Sequence, residues 1–193
     1  MILIVLPDIE VEDVLLARAR RQDEEALREI FNLYFQPIYQ FIRMRVDDSA
    51  QAEDLAGDVF VKLLDSLRRG GGPRQTLRGW LFQVARRELY DHYGKQKRIN
   101  VTALDEFMPA PAEEQPDIQF MSRLDSAAAR RALRLLTDEQ QEVLVLRFGQ
   151  MLSLQETAAI MGKNANAIKA LQFRAVNALR RILGDLQGEA SYG

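Results

Sequence analysis

Apolar residues recur at intervals of three and four along most of the chain, the spacing of one helix face. Leu27, Ile30 with Phe31, Tyr34, Ile38, Phe41 with Ile42, and Val46 make one long stripe. Ahead of it, Asp13 is placed to cap a helix carrying Val14, Leu15 and Ala19. Pro37 lies inside the stripe and predicts a bend or a division there. Leu55, Val59, Leu63 and Leu67 form the next stripe, which Gly70-Gly71-Gly72-Pro73 ends. Thr76 is placed to cap a fourth helix, with Leu77, Trp80 with Leu81, Val84, Glu88 and Asp91 on one side. That helix runs into Lys95-Gln96-Lys97-Arg98. The period then disappears over residues 99–122, where Pro109, Pro111 and Pro116 fall among acidic residues. It returns over 124–136, 143–148, 154–161 and 168–183. No alternating strand pattern and no long-period repeat is present. The fold class is therefore all-α: two small helical domains joined by an acidic linker. The expected limits are an extension over 1–12, a first domain over 13–98, the linker over 99–122, a second domain over 123–187 and a tail over 188–193.

The distribution of charge sharpens this division. Net charge is only −2. Yet residues 74–98 hold 7 Lys or Arg against 2 Asp or Glu, and residues 123–185 hold 10 against 6. The linker between them holds 5 acidic residues and no basic one. Salt screens over about 10 Å, so a local basic block attracts phosphate whatever the total charge. Each block also fits a solvated helix face when taken alone.

The second domain carries a helix-turn-helix pattern. Ser153 with Glu156 spells a capping box before Leu154–Met161. Gly162 stands where a left-handed residue ends a helix, and Asn164 caps the next one. At about 100° per residue, Ile168, Leu171, Ala175, Ala178, Leu179 and Ile182 share one side of that second helix. Lys169, Ala170, Phe173, Arg174, Asn177, Arg180 and Arg181 face away, available to phosphates and base edges. Phe173 has three readings open: a thymine methyl, a partner protein, or a neighbouring loop.

Composition removes most other chemistry. With 0 Cys and 1 His there is no disulfide, thiolate zinc site, iron–sulfur cluster or cysteine nucleophile, and no recognisable Ser/His/Asp set. Gly70-Gly71-Gly72 is followed by Pro73 instead of the Lys and hydroxyl residue of a phosphate loop. No cofactor or metal is expected, and an enzyme is not. His92 reads as a surface helix residue. No apolar run approaches a membrane span, and Met1–Leu6 lacks the flanks of a signal peptide, so a cytoplasmic protein is expected. That short apolar start reads equally as a strand, a docking arm or a disordered end.

Several runs resemble a known family. Leu133-x-x-Leu136-Thr137-x-x-Gln140-x-Glu142-Val143-x-x-Leu146-Arg147, with Leu154-x-Glu156-Thr157-Ala158 and Ile168 to Ala175, resembles region four of bacterial sigma factors. Ala52-Glu53-Asp54-Leu55 with Asp58-Val59-Phe60 is similar to the polymerase-binding helix of region two. Trp80-Leu81-x-x-Val84-Ala85-Arg86, with Asp91, is similar to the promoter-melting helix. Order, spacing and linker resemble the short extracytoplasmic-function group of the sigma-70 family over about residues 13–185. Gly57 stands where glutamine is usual, Arg87 where asparagine is, and Ala167 where threonine is. Leu171 replaces a common basic residue and Phe173 a histidine. The length leaves no room for the inhibitory N-terminal region or the central third domain of larger members, and the chain is expected to end soon after region four.

The resemblance implies a protein that binds core RNA polymerase, directs it to promoter DNA and helps open the duplex. Asp54, Leu55, Asp58, Val59 and Phe60 would dock on the polymerase, as an acidic rim round an apolar patch. Arg78, Phe82, Gln83, Arg86, Arg87, Tyr90, Lys95, Lys97 and Arg98 would hold the −10 element, with Phe82 and Tyr90 stacking on unpaired bases. Trp80 and Leu81 are assigned to the core. The loop from Gly70 to Gln75 would receive an extruded base. Arg147, Asn164, Asn166, Lys169, Phe173, Arg174 and Asn177 would contact the −35 duplex. An anti-sigma factor is an implied further partner. The acidic linker reads either as a nucleic-acid mimic in the polymerase cleft or as a spacer. A helix-turn-helix regulator acting without polymerase, and an interaction module that has lost DNA binding, remain the competing classes.

Overall fold

The computed structural model describes Leu6, residues 8–96 and residues 127–190. Among the described residues there are eight α-helices and no strand. The chain divides into two compact units, one built mainly from residues 4–103 and one mainly from residues 104–193. The linker expected over 99–122 lies outside the described residues, as do the stretch Met1–Val5 and the cations Lys97 and Arg98.

The first unit is a bundle of α1 (Ile9–Ala19), α2 (Glu24–Arg43), α3 (Ser49–Arg68) and α4 (Leu77–Gln96). Helix α1 starts earlier than Asp13 implies: Asp8 is its N-cap residue, and Asp13 lies exposed within it. Asp23 caps α2 by accepting from the amides of Glu25 at 3.0 Å and Ala26 at 3.2 Å. Asp48 caps α3 by accepting from Ala50 at 2.8 Å and Gln51 at 3.0 Å. Pro37 neither divides nor ends α2; it is buried within an unbroken 20-residue helix. Tyr34, Ile30, Ile38, Ile42, Leu63, Leu81, Phe82 and Leu89 fill the core. Each such side chain contributes about 1.5–3 kcal/mol.

The buried face of α4 differs from the expected one. Leu77, Leu81, Phe82, Ala85, Glu88 and Leu89 point inward, while Trp80 and Val84 are only half-buried and Asp91 is exposed. Apolar burial favours this rotation, and two inward polar groups are satisfied by it. Glu88 pairs with Lys62 of α3, and Arg78 pairs with the buried Glu12 of α1. An ion pair in good geometry removes most of the cost of burying either charge alone.

The second unit holds α5 (Ala127–Arg134), α6 (Asp138–Leu144), α7 (Leu154–Met161) and α8 (Ala165–Ala190). Thr137 and Gln140 form a capping box for α6, which continues as a π-helical turn over Val145–Gly149. Helix α8 lays Ile168, Leu171, Ala175 and Leu179 against α5 and α6.

The cap of α2 makes acid sensitivity testable. Arg18 donates to the Asp23 carboxylate at 2.8 Å, and this bond, followed by the amides of Ala26 and Glu25, holds Asp23 below the ordinary carboxylate range. A folded value below the unfolded one means full stabilisation above about pH 4, lost as pH falls through the folded value. Asp23→Asn keeps a cap but loses the charge. We expect its urea midpoint to fall short of the wild type at pH 7, with the gap closing below pH 4 as the wild type is protonated.

Candidate functional site

Three surfaces carry the side chains that sequence reasoning singled out. The first is an open groove of about 790 Å³ between α2 and α3, lined by Phe31, Phe35, Gly57, Phe60, Val61 and Leu64 and rimmed by Glu53, Asp54 and Asp58. The rings are clustered: Phe31 meets Phe60 edge-on at 5.0 Å and Phe35 at 4.8 Å between centroids. Phe31 is 42% exposed and Val61 55%. Large apolar groups left in water beside carboxylates suit a partner bearing bulky apolar and basic side chains. A Cβ on Gly57 would meet nothing within 4 Å, so this glycine widens the groove without being needed for internal packing.

The second surface follows α4 and the loop before it. Thr76 Oγ1 accepts from the Gly79 amide at 3.2 Å and caps the helix. Tyr90 is exposed, with the Arg86 guanidinium 4.7 Å and the Arg45 guanidinium 6.0 Å from its ring centroid. Such an aromatic flanked by cations can stack on a base and hold the adjoining phosphate.

The third surface is the helix-turn-helix. Ser153 and Glu156 form the capping box on α7, and Gly162 adopts φ 66°, ψ 32° to end it. Asn164 Oδ1 accepts from the Ala167 amide at 2.8 Å and starts α8. Lys163 of the turn pairs with Glu139 of α6 at 2.9 Å. On α8, Asn166, Lys169 and Asn177 are exposed, and Phe173 and Arg174 are half-buried on the same outward side.

Comparison with known proteins identifies what carries these surfaces. Residues 30–99 match the model of Sigma-70 region 2, and residues 132–181 that of Sigma-70, region 4. The ECF RNA polymerase sigma factor BldN of Streptomyces coelicolor is 36% identical over 172 residues, which span 89% of this chain and 65% of that protein. The ECF RNA polymerase sigma factor SigX of Bacillus subtilis is 30% identical over 171 residues, 86% of this chain and 88% of that one. The chain belongs to the extracytoplasmic-function group of the sigma-70 family. Its fold is also similar to that of the Bartonella quintana sigma factor RpoE, solved in complex with the anti-sigma factor NepR (TM-score 0.62, 23% identity, 81% of this chain and 96% of that one).

Within region 2 of this sigma factor, several expected contacts are spent internally. Phe82 is fully buried and meets Phe41 edge-on at 5.4 Å, so its ring is unable to reach a base. Arg78 is 11% exposed at its side chain and is held by Glu12, so it belongs to the core's ion pair. Tyr34 lies beside that pair; burial, then the neighbouring Glu12 carboxylate, pushes its phenol well above the ordinary tyrosine value. Val59 is fully buried and Phe60 nearly so, whereas Asp54 and Asp58 are exposed and Leu55 half-buried. Gln83, Arg87 and Tyr90 are exposed and Arg86 is half-buried. The side chain of Lys95 lies outside the described residues. Sequence reasoning missed Phe31, Phe35, Val61 and Leu64 in the groove and Arg45 beside Tyr90. Phe31 is legible only as a stripe residue, since periodicity fails to show which edge of a stripe stays wet.

Within region 4, Arg147 is turned inward. It donates to Gln172 Oε1 at 2.9 Å and to the Leu152 carbonyl, tying the π turn to α8 and to the start of α7. Burial lowers its pKa, against a smaller opposing pull from Glu156. Its bonds to Gln172 and Leu152 hold the two helices of the motif together. Among the described residues, no helix is long and apolar enough to cross a membrane.

Proposed function

We propose that the chain is the promoter-reading subunit of RNA polymerase, acting through these three surfaces. The α2–α3 groove docks on core polymerase, with Phe31, Phe35 and Val61 supplying apolar contact and Glu53, Asp54 and Asp58 steering a basic partner face. The Gly70–Gln75 loop and α4 hold the −10 element once its bases unstack, using Tyr90, Arg45, Arg86 and Arg87 together with Gln83. Helix α8 enters the major groove at the −35 element, presenting Asn166, Lys169, Phe173, Arg174 and Asn177. Asn164 sets the start of that helix. A protein that works on promoter DNA with core polymerase acts in the cytoplasm.

One observation carries this reading. A wet aromatic groove with an acidic rim lies in the region 2 match, and a cation-faced helix-turn-helix lies in the region 4 match. A regulator acting without polymerase leaves the groove unexplained. An anti-sigma factor is a further partner, and the groove offers the same apolar and acidic chemistry to it. RpoE of Bartonella quintana assembles with such a factor.

The test is reconstitution with core polymerase on a genomic promoter library. The chain is expected to co-elute with core enzyme and to set a defined group of start sites sharing −35 and −10 elements. A chain that elutes alone and leaves start-site choice unchanged overturns the reading.

A further inference from the structure

The loop between α3 and α4 is held by packing, with Pro73 buried and Gly72 close against Leu67, more than by its own hydrogen bonds. Gly70 and Gly72 adopt φ of 73° and 101°, a region that glycine enters without steric cost. Its own backbone bonds run only back to α3, from Gly70 to the Leu67 carbonyl at 3.0 Å and from Gly71 to the Ser66 carbonyl at 2.8 Å. Pro73 has no amide to donate. The middle of the loop is reached instead from α1. Arg20 Nη2 donates to the Pro73 carbonyl at 2.6 Å, across 53 residues of sequence. In the first turn of α4, Arg78 pairs with Glu12 of α1, the helix that Arg20 caps; Glu12 is 1% exposed, with its Oε2 3.4 Å from the Arg78 amide. A single helix thus holds the loop at its middle and at its exit into α4.

We propose that α1 is a strut that sets the geometry of the loop, and that Arg20 is a positioning residue for base selection in the −10 element. This rests on the reading of the loop given under the proposed function. The ligand is an unpaired DNA base with its flanking phosphates. A charge-assisted bond to a carbonyl has geometric value here because it adds direction to a turn that otherwise rests on the burial of Pro73 and the close approach of Gly72 to Leu67. Arg20 lies on the far side of the chain in sequence from any motif that marks DNA contact.

The experiment uses holoenzyme carrying Arg20→Ala or Arg20→Lys on promoters with all four bases at each −10 position. Open-complex formation is scored as the ratio between preferred and disfavoured bases. Loss of one such bond is expected to cut that ratio about fivefold in Arg20→Ala, with core binding and −35 duplex binding unchanged. Arg20→Lys still donates to the carbonyl and is expected to restore most of the ratio. On the free protein, amide exchange at Gly70 and Gly71, whose amides bond to Leu67 and Ser66, is expected to quicken in Arg20→Ala. A uniform fall on every promoter with the ratio intact means a plain phosphate contact and overturns the strut, as does unaltered exchange. A wild type that shows no −10 preference sinks the reading of the loop itself, and the strut falls with it.

Discussion

Reversing charge on the groove while removing its exposed ring, as in Phe31→Ala with Asp58→Arg, is expected to weaken binding to core polymerase by about 100-fold or more. Buried aromatic anchors at interfaces cost about 2 kcal/mol or more on truncation, and a charge reversal beside a basic partner adds repulsion and slows encounter. The pair is chosen on exposure. Phe31 is 42% exposed and Asp58 lies on the open rim, so neither change empties the core. Phe60 is the tempting target from sequence, but it is 6% exposed. Its truncation leaves a cavity costing about 3–5 kcal/mol and confuses unfolding with undocking. The measurement is titration of labelled core enzyme, with thermal unfolding of the free variant as control. Undiminished affinity in a folded variant places the docking face elsewhere. Gly57 offers a complementary variant. Gln, the residue usual there in the family, removes most of the mid-helix penalty of glycine, roughly 0.5–1 kcal/mol, and its Cβ has open space. A more stable protein that keeps its affinity for core polymerase is the expected pairing of results.

The choice of Phe31 over Phe60 shows where sequence is enough and where it is not. Caps are local, so Ser153 with Glu156, Gly162, Asn164 and Thr76 are all visible within four residues, and the structure has each of them making its expected turn or bond. The stripe of α8 is equally legible because one face is apolar and the other charged. Helix α4 has no such contrast: its cations and aromatics alternate round the whole cylinder. Its rotation also places Arg78 and Glu88 against Glu12 and Lys62, 66 and 26 residues away. No local pattern reports a partner at that distance. In sequence, Phe82 therefore reads as free to stack on DNA when it is core, and Arg78 as free to meet phosphate when it is paired. Arg147 misleads in the same way. A basic residue before a helix-turn-helix reads as a DNA contact until its bonds to Gln172 and Leu152 are seen. Arg78 and Arg147 share one physical reason: a cation buried at a helix junction must have fixed carbonyl or carboxylate acceptors beside it, because an unpaired buried charge is costly.

Lys169→Ala with Arg174→Ala is expected to remove upstream promoter recognition while core binding stays intact. Removing a specific base or phosphate interaction costs about 1–3 kcal/mol, so the pair together costs about 2–6 kcal/mol, or roughly 30- to 20,000-fold in affinity for the −35 duplex. Lys169 is exposed and Arg174 half-buried beside the face of Ile168, Leu171 and Ala175, so the apolar contacts with α5 and α6 are kept. Folding stability should therefore hold, which separates this pair from Arg147, whose loss would orphan the Leu152 carbonyl and free α8 from the π turn. The salt dependence adds a second readout. If both side chains neutralise phosphates, the slope of log affinity against log salt falls by about 2; if they read bases, it changes less and discrimination between −35 sequences is lost instead. Promoters that depend on the −35 element should go silent in reconstituted transcription, and those opened mainly through the −10 element should persist. Promoter choice identical to the wild type would show that α8 meets DNA through other residues or not at all.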